Sequence, residues 1–251
     1  MFKPNETGLV RNLAAFDQLI KVCISFGAAY NPASKIITIA EMQRIQAAAN
    51  DVTAVQREDE TACTNATDIR LVTINGTKAH ARRVVNAITV LGAAPAKVDN
   101  AKDLVKKMSG KRLTALPESP PDTDPKDPNA KPVVIHNHAK TSYDNIIEHF
   151  AKLIELVKSE PGYKPNEPEL TAEGLVARMD ELQDVDKVAV DAEVKRNSSR
   201  IKSFEVMYQD VTGLVDVGNS AKLYVKTVFG PNSAEYRQVR KIRFTKPRKK
   251  K

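Results

Sequence analysis

Residues 38–74 read TIAEMQRIQAAANDVTAVQREDETACTNATDIRLVTI, a stretch without Pro or Gly. Ile39, Met42, Ile45, Ala49, Val52, Val55, Ala62, Ala66, Ile69 and Val72 recur mostly three or four residues apart, which lays an apolar stripe along one side of an α-helix. Thr38 followed by Glu41 has the form of a capping box. Asn75-Gly76 tolerates the left-handed conformation, so the helix is expected to stop there. Thr171 to Tyr208 repeats the pattern, with Leu175, Met179, Leu182, Val185, Val188, Ala192, Val194, Ile201 and Phe204 on its apolar side. At 1.5 Å per residue each helix is roughly 55 Å long. Such helices need long neighbours, and the second half offers Tyr143 to Ser159 and Val211 to Phe229, the latter ended by Gly230-Pro231.

The composition suits closely packed helices. Apolar residues make up 41% of the 251, yet aromatics are only 5% and Trp is absent, so the interior must be built from Ala, Val, Leu and Ile. No run of about 18 apolar residues offers a membrane span. The opening Met1-Phe2-Lys3-Pro4-Asn5-Glu6 lacks the apolar core and cleavage site of a secretory signal, so a cytoplasmic location is expected. Cys23 and Cys63 are too few for a disulfide framework and read as packed thiols in a reducing compartment.

Six prolines fall between Pro117 and Pro132, which makes residues 114–138 an extended connector. Landmarks recur on either side of it. Phe16, Leu19, Ile20, Tyr30 and Pro32 match Phe150, Leu153, Ile154, Tyr163 and Pro165; Thr38-Ile-Ala-Glu41-Met42 lies opposite Thr171-Ala-Glu173-Gly-Leu175, and Thr89-Val-Leu-Gly92 opposite Thr227-Val-Phe-Gly230. Internal duplication explains the shared order. Each half then reads as a short helix, a Tyr-x-Pro break, a long helix, a third helix ending at Gly, and a basic segment. The expected architecture is all-α: two pseudo-repeated antiparallel bundles of three to four helices, one long helix per half. Their bounds are 1–113 for the N-terminal bundle, 114–138 for the Pro-rich linker, 139–235 for the C-terminal bundle and 236–251 for a basic tail.

Chemistry is hard to find in these residues. His136-Asn137-His138 has two ligands at strand-like spacing but no Cys or second His pair to complete a metal site. His149 follows Glu148 on a helix and His80 precedes Arg82 and Arg83, which suits surface positions rather than general bases. Glu58-Asp59-Glu60 and Asp180-Glu181 are adjacent acids of a solvated helix face. Glu-x-x-His pairs, phosphate-cradling Gly-rich loops and a nucleophile elbow are all missing. The expectation is no catalytic residue, no metal and no cofactor.

After Glu235 there is no acid, while Arg237, Arg240, Lys241, Arg243, Lys246, Arg248, Lys249, Lys250 and Lys251 follow. Those nine charges exceed the +8 of the whole chain, so the body nets −1. Basic side chains interleaved with Tyr236 and Phe244 suit phosphate contacts and base stacking. The site residues read from this tail are Arg240, Lys241, Arg243, Arg248, Lys249, Lys250 and Lys251 as phosphate contacts, with Phe244 as the stacker. A solubilising end fits the composition equally, and Val239-x-x-Ile242-x-Phe244 fits either a last helical turn or an extended arm.

Tyr163-Lys-Pro-Asn-Glu167, Asn197-x-x-Arg200, Thr212-Gly-Leu-Val-Asp216, Lys222-x-Tyr-Val-Lys-x-Val-Phe-Gly230 and Ser233-x-x-Tyr-x-Gln-Val239 with Phe244 resemble an uncharacterised family of small helical proteins from Bacteroidetes bacteria. The resemblance covers residues 163–248. It implies a bacterial origin and contributes no catalytic residues. The function expected is a non-enzymatic helical binding or scaffold protein whose tail binds nucleic acid non-specifically. The alternative is a structural subunit that self-associates, or meets protein partners, through exposed apolar helix faces.

Overall fold

The computed structural model describes residues 6–110 and 142–247, and among them every regular element is helical. These are α1 (Glu6–Ser25), α2 (Ile39–Val90), α3 (Pro95–Met108), α4 (Tyr143–Lys158), α5 (Ala172–Tyr208), α6 (Leu214–Phe229) and α7 (Ala234–Arg240), with 3-10 turns at Gly27–Ala29, Lys35–Ile37 and Pro168–Leu170. The linker read at 114–138 and the residues His136 and His138 lie outside the described residues.

α2 corrects the first boundary. It runs 52 residues, straight through Asn75-Gly76. The Arg178 guanidinium lies against this part of the helix, donating from Nη2 to the Thr73 carbonyl at 3.0 Å and from Nε to the Thr77 hydroxyl at 3.1 Å. A Cβ on residue 76 would stand 2.7 Å from Nη2, so the glycine serves close approach and not a turn. Glycine inside a helix costs about 1 kcal/mol. Burial of Ile74, Ala81, Val84, Val85 and Ile88 beyond it outweighs that. The real stop is Gly92, at φ +76°, where the Ala93 N–H bonds back to the Ile88 carbonyl at 3.3 Å. Gly92 therefore ends α2 and Gly230 ends α6, both at positive φ. The segment after Gly92, read as merely basic, forms α3 and buries Val98, Ala101, Val105 and Met108.

The chain forms two compact units, Met1–Thr64 with Asp191–Lys251, and Asn65–Val190. The division at the proline run expected one bundle per half; each core instead draws on both halves. In the first unit Phe16, Leu19 and Ile20 of α1 and Met42, Ile45 and Ala49 of α2 share a core with Met207 of α5, five α6 residues, Val239 and Ile242. In the second, Ile74 to Ile88 of α2 and four residues of α3 share one with Phe150, Leu153 and Ile154 of α4 and Leu175, Met179 and Leu182 of α5. The cause is the unbroken α2: its stripe continues past Gly76 and is buried there by α4 and the first turns of α5.

Both long helices start in the same way. Tyr30 donates its hydroxyl proton to the Ile37 carbonyl at 2.7 Å, and Tyr163 does the same to Leu170 at 2.8 Å. Thr38 and Thr171 then cap, their hydroxyls accepting from the N–H of Glu41 and Gly174. The capping box at Thr38 is only half made, because the Glu41 carboxylate turns to Arg44 at 2.7 Å.

Candidate nucleic-acid interface

Residues 234–247 of the basic C-terminal region are built into the first unit. Gly230, at φ +91°, and Pro231 end α6; Ser233 caps α7, accepting from the Tyr236 N–H at 3.0 Å. Val239 and Ile242 are buried in the core. Beyond α7, residues 241–247 form a non-helical strap held at several points. The buried Asn12 amide donates to the Thr245 carbonyl at 2.8 Å, and its oxygen accepts from the Thr245 N–H at 2.9 Å. Lys222 of α6 donates to the Ile242 carbonyl at 2.6 Å. Lys246 pairs with Asp216 at 2.6 Å, which holds that carboxyl below its ordinary range.

Phe244 has a different role from the one its sequence context suggested. Its ring is half-buried, edge-on to Phe16 with centroids 6.3 Å apart, in a recess left by Gly218. A ring wedged there is not available to stack on a base. The geometry also decides between helical turn and arm: α7 ends at Arg240 and Ile242 and Phe244 belong to the strap.

Of the phosphate contacts read from the sequence, Arg240, Lys241 and Arg243 are exposed, while Arg248, Lys249, Lys250 and Lys251 lie outside the described residues. Three further cations join them. Lys226 of α6 is exposed, with its ammonium 5.9 Å from the centre of the Tyr236 ring; Lys222 is half-buried, 5.9 Å from the centre of Phe244; Arg237 is exposed on α7. Arg240 follows Tyr236 by four residues, on the same side of α7. Burial, together with Arg243 nearby, lowers the Lys222 ammonium from its ordinary value. Among the described residues none of these six cations forms an ion pair with a carboxylate. Reading the tail by itself missed Lys222 and Lys226. Their signal was two like charges four apart on one helix, an unfavourable spacing unless the heads are held elsewhere.

Other candidate groups do not converge. His80 Nε2 lies 2.8 Å from the Glu169 carbonyl, which can only accept, so that nitrogen carries the proton; the Glu169 carboxylate goes to Arg83. Lys107 and Lys152 stand near His149, and burial holds its imidazole below the ordinary value. Glu60 accepts from Arg200 at 2.8 Å and Glu181 pairs with Arg178 at 2.7 Å. The Cys23 thiol is pushed up to about 11 by burial, against a smaller lowering from its hydrogen bond with Tyr30, the wrong direction for a nucleophile. Among the described residues no group of three or more His, Cys, Asp or Glu could hold a metal ion, and no helix is long and apolar enough to cross a membrane. No family model, no curated protein and no solved structure matches this chain.

Proposed function

We propose that this is a non-enzymatic binding protein that holds the phosphate backbone of nucleic acid on the surface made by α6, α7 and the strap. One observation carries the reading: Lys222, Lys226, Arg237, Arg240, Lys241 and Arg243 come from elements packed on one another, and among the described residues no carboxylate pairs with them. Residues 234–247 are already held against α6, so binding does not have to restrain them as a free tail. With Phe244 and Tyr236 engaged inside the unit, recognition is of the backbone and indifferent to sequence.

The test is fluorescence anisotropy of a labelled 20-mer, single-stranded and duplex, across a salt series. If all six cations meet a duplex, affinity falls about a thousandfold between 50 and 200 mM salt. The variant R240Q/K241Q/R243Q, at three exposed positions, flattens that slope by about three contacts. Absence of binding by the wild-type chain at low salt sinks the reading.

The matching Tyr anchors and Thr caps before α2 and α5 support an origin by internal duplication, and the resemblance quoted above supports a bacterial one. A second functional reading, self-association, is favoured by one face: α5 leaves Val194 and Ile201 exposed seven residues apart, one heptad along the helix. Light scattering that returns a monomer over a wide concentration range removes it.

A further inference from the structure

The string Ala-Lys-x-x-Val-Lys occurs twice, as Ala101–Lys106 in α3 and Ala221–Lys226 in α6. In both helices its Ala and Val are buried, so its two lysines stand at equivalent places relative to a core. Their partners differ. In α3, Lys102 pairs with Asp99 at 3.1 Å and Lys106 with Asp103 at 3.2 Å, each acid three residues before its lysine. In α6 the residues three before Lys222 and Lys226 are Asn219 and Leu223, and neither can neutralise an ammonium. Both are exposed, Leu223 by 62%, so packing does not require a leucine there.

We propose that Asn219 and Leu223 are the specificity-determining positions that turn α6 into a backbone-binding helix, while Asp99 and Asp103 keep α3 silent towards the same polyanion. This rests on the nucleic-acid reading above. Exposed ion pairs add little stability, so the exchange of carboxylate for amide or alkyl leaves the fold alone. What it changes is the charge of the two lysines taken with the residues three before them, from zero for Asp99, Lys102, Asp103 and Lys106 to +2 for Asn219, Lys222, Leu223 and Lys226. The released lysines lean on the α7–strap segment: Lys222 is bonded to the Ile242 carbonyl and Lys226 sits over Tyr236. Both keep N–H donors for phosphate oxygens. The ligand favoured is a phosphodiester backbone rather than an anionic bilayer, because Ile242 and Phe244, the large apolar side chains of the strap, are turned inward and unavailable as anchors.

The test compares the full-length wild type with N219D/L223D and the uncharged control N219Q/L223Q. Folding of each is checked by circular dichroism, and binding is measured to a labelled duplex 20-mer and to phosphatidylserine vesicles. The expected result is that N219D/L223D binds the duplex at least about tenfold more weakly at 100 mM salt, with a salt slope reduced by nearly two units, and that N219Q/L223Q retains binding. Duplex binding unchanged in N219D/L223D overturns this assignment and leaves the backbone reading standing. Loss in both variants also overturns it, by showing that side-chain shape and not charge matters. No duplex binding by the wild type sinks both, and so does vesicle binding that disappears in N219D/L223D while the duplex is ignored.

Discussion

Gly218 decides whether the strap can close, and G218A tests this through the sign of its effect. Glycine to alanine inside a helix normally stabilises by about 1 kcal/mol. In α6 the new Cβ would stand 2.6 and 2.7 Å from Cζ and Cε2 of Phe244 and 3.3 Å from Cδ2 of Phe16, well inside the roughly 3.5–4.0 Å of ordinary carbon contacts. The Phe244 ring cannot withdraw alone, since Lys222 holds the carbonyl two residues before it and Asn12 holds the residue after it. Overpacking of this kind costs about 1–3 kcal/mol, so G218A should come out about 1 kcal/mol less stable than wild type. With F244A as background only the milder 3.3 Å contact with Phe16 remains, and the same substitution should stabilise by up to about 1 kcal/mol. The assay is urea unfolding followed by far-ultraviolet circular dichroism, on wild type, both single variants and the double. A coupling of about 2 kcal/mol between the two positions is expected from these opposed effects. If G218A stabilises the wild-type chain, or the two changes simply add, Phe244 does not fill the recess and the description of the docked strap is wrong.

Val211 lies in the loop between α5 and α6 at φ +70°, a conformation that a β-branched residue adopts only under strain, and it is 70% exposed. V211N should therefore raise stability by about 1 kcal/mol, read as a higher thermal midpoint; an unchanged or lower one refutes the strain. Burial lowers both His80 and His149 from their ordinary values. Because the folded chain then binds fewer protons than the unfolded one, stability should be complete above about pH 6.5 and decline as the pH falls through the folded-state values. Replacing both by Gln should flatten urea midpoints between about pH 7 and 5, above the range where carboxylates titrate; an equal decline in the variant would place its cause elsewhere.

Much of the fold can be read along the chain because it is local. Thr38 and Thr171 act within one helical turn, and the Tyr breaks close over seven residues, so the starts of α2 and α5 lie where expected. Apolar spacing marks α4 and α5 to within a residue or two of their bounds. The same spacing in Val98, Ala101, Val105 and Met108 marks α3, although lysines crowd its other side. Val211 shows the limit of local rules from the other side: an apolar residue before a helix looks like its first turn, yet α6 begins at Leu214. For the candidate interface, the charge of Arg240, Lys241 and Arg243 was plain in the tail, whereas the contribution of Lys222 and Lys226 depends on α7 and the strap packing against α6.

By itself, then, the sequence determined helix type, most helix ends, the apolar stripes and the concentration of positive charge, since each follows from bonds and periodicities within a few residues. Three matters were settled only by residues distant along the chain. Burial of the α2 stripe by α4 and α5 carries the helix through Gly76, against which Arg178 packs; both halves contribute to each core; and Gly218 with Asn12 turns Phe244 inward while leaving Lys241 and Arg243 facing solvent. The physical reason is that a stripe or a glycine specifies what can be buried or approached, while the partner that does so is chosen by competition among all the faces the folded chain brings within reach.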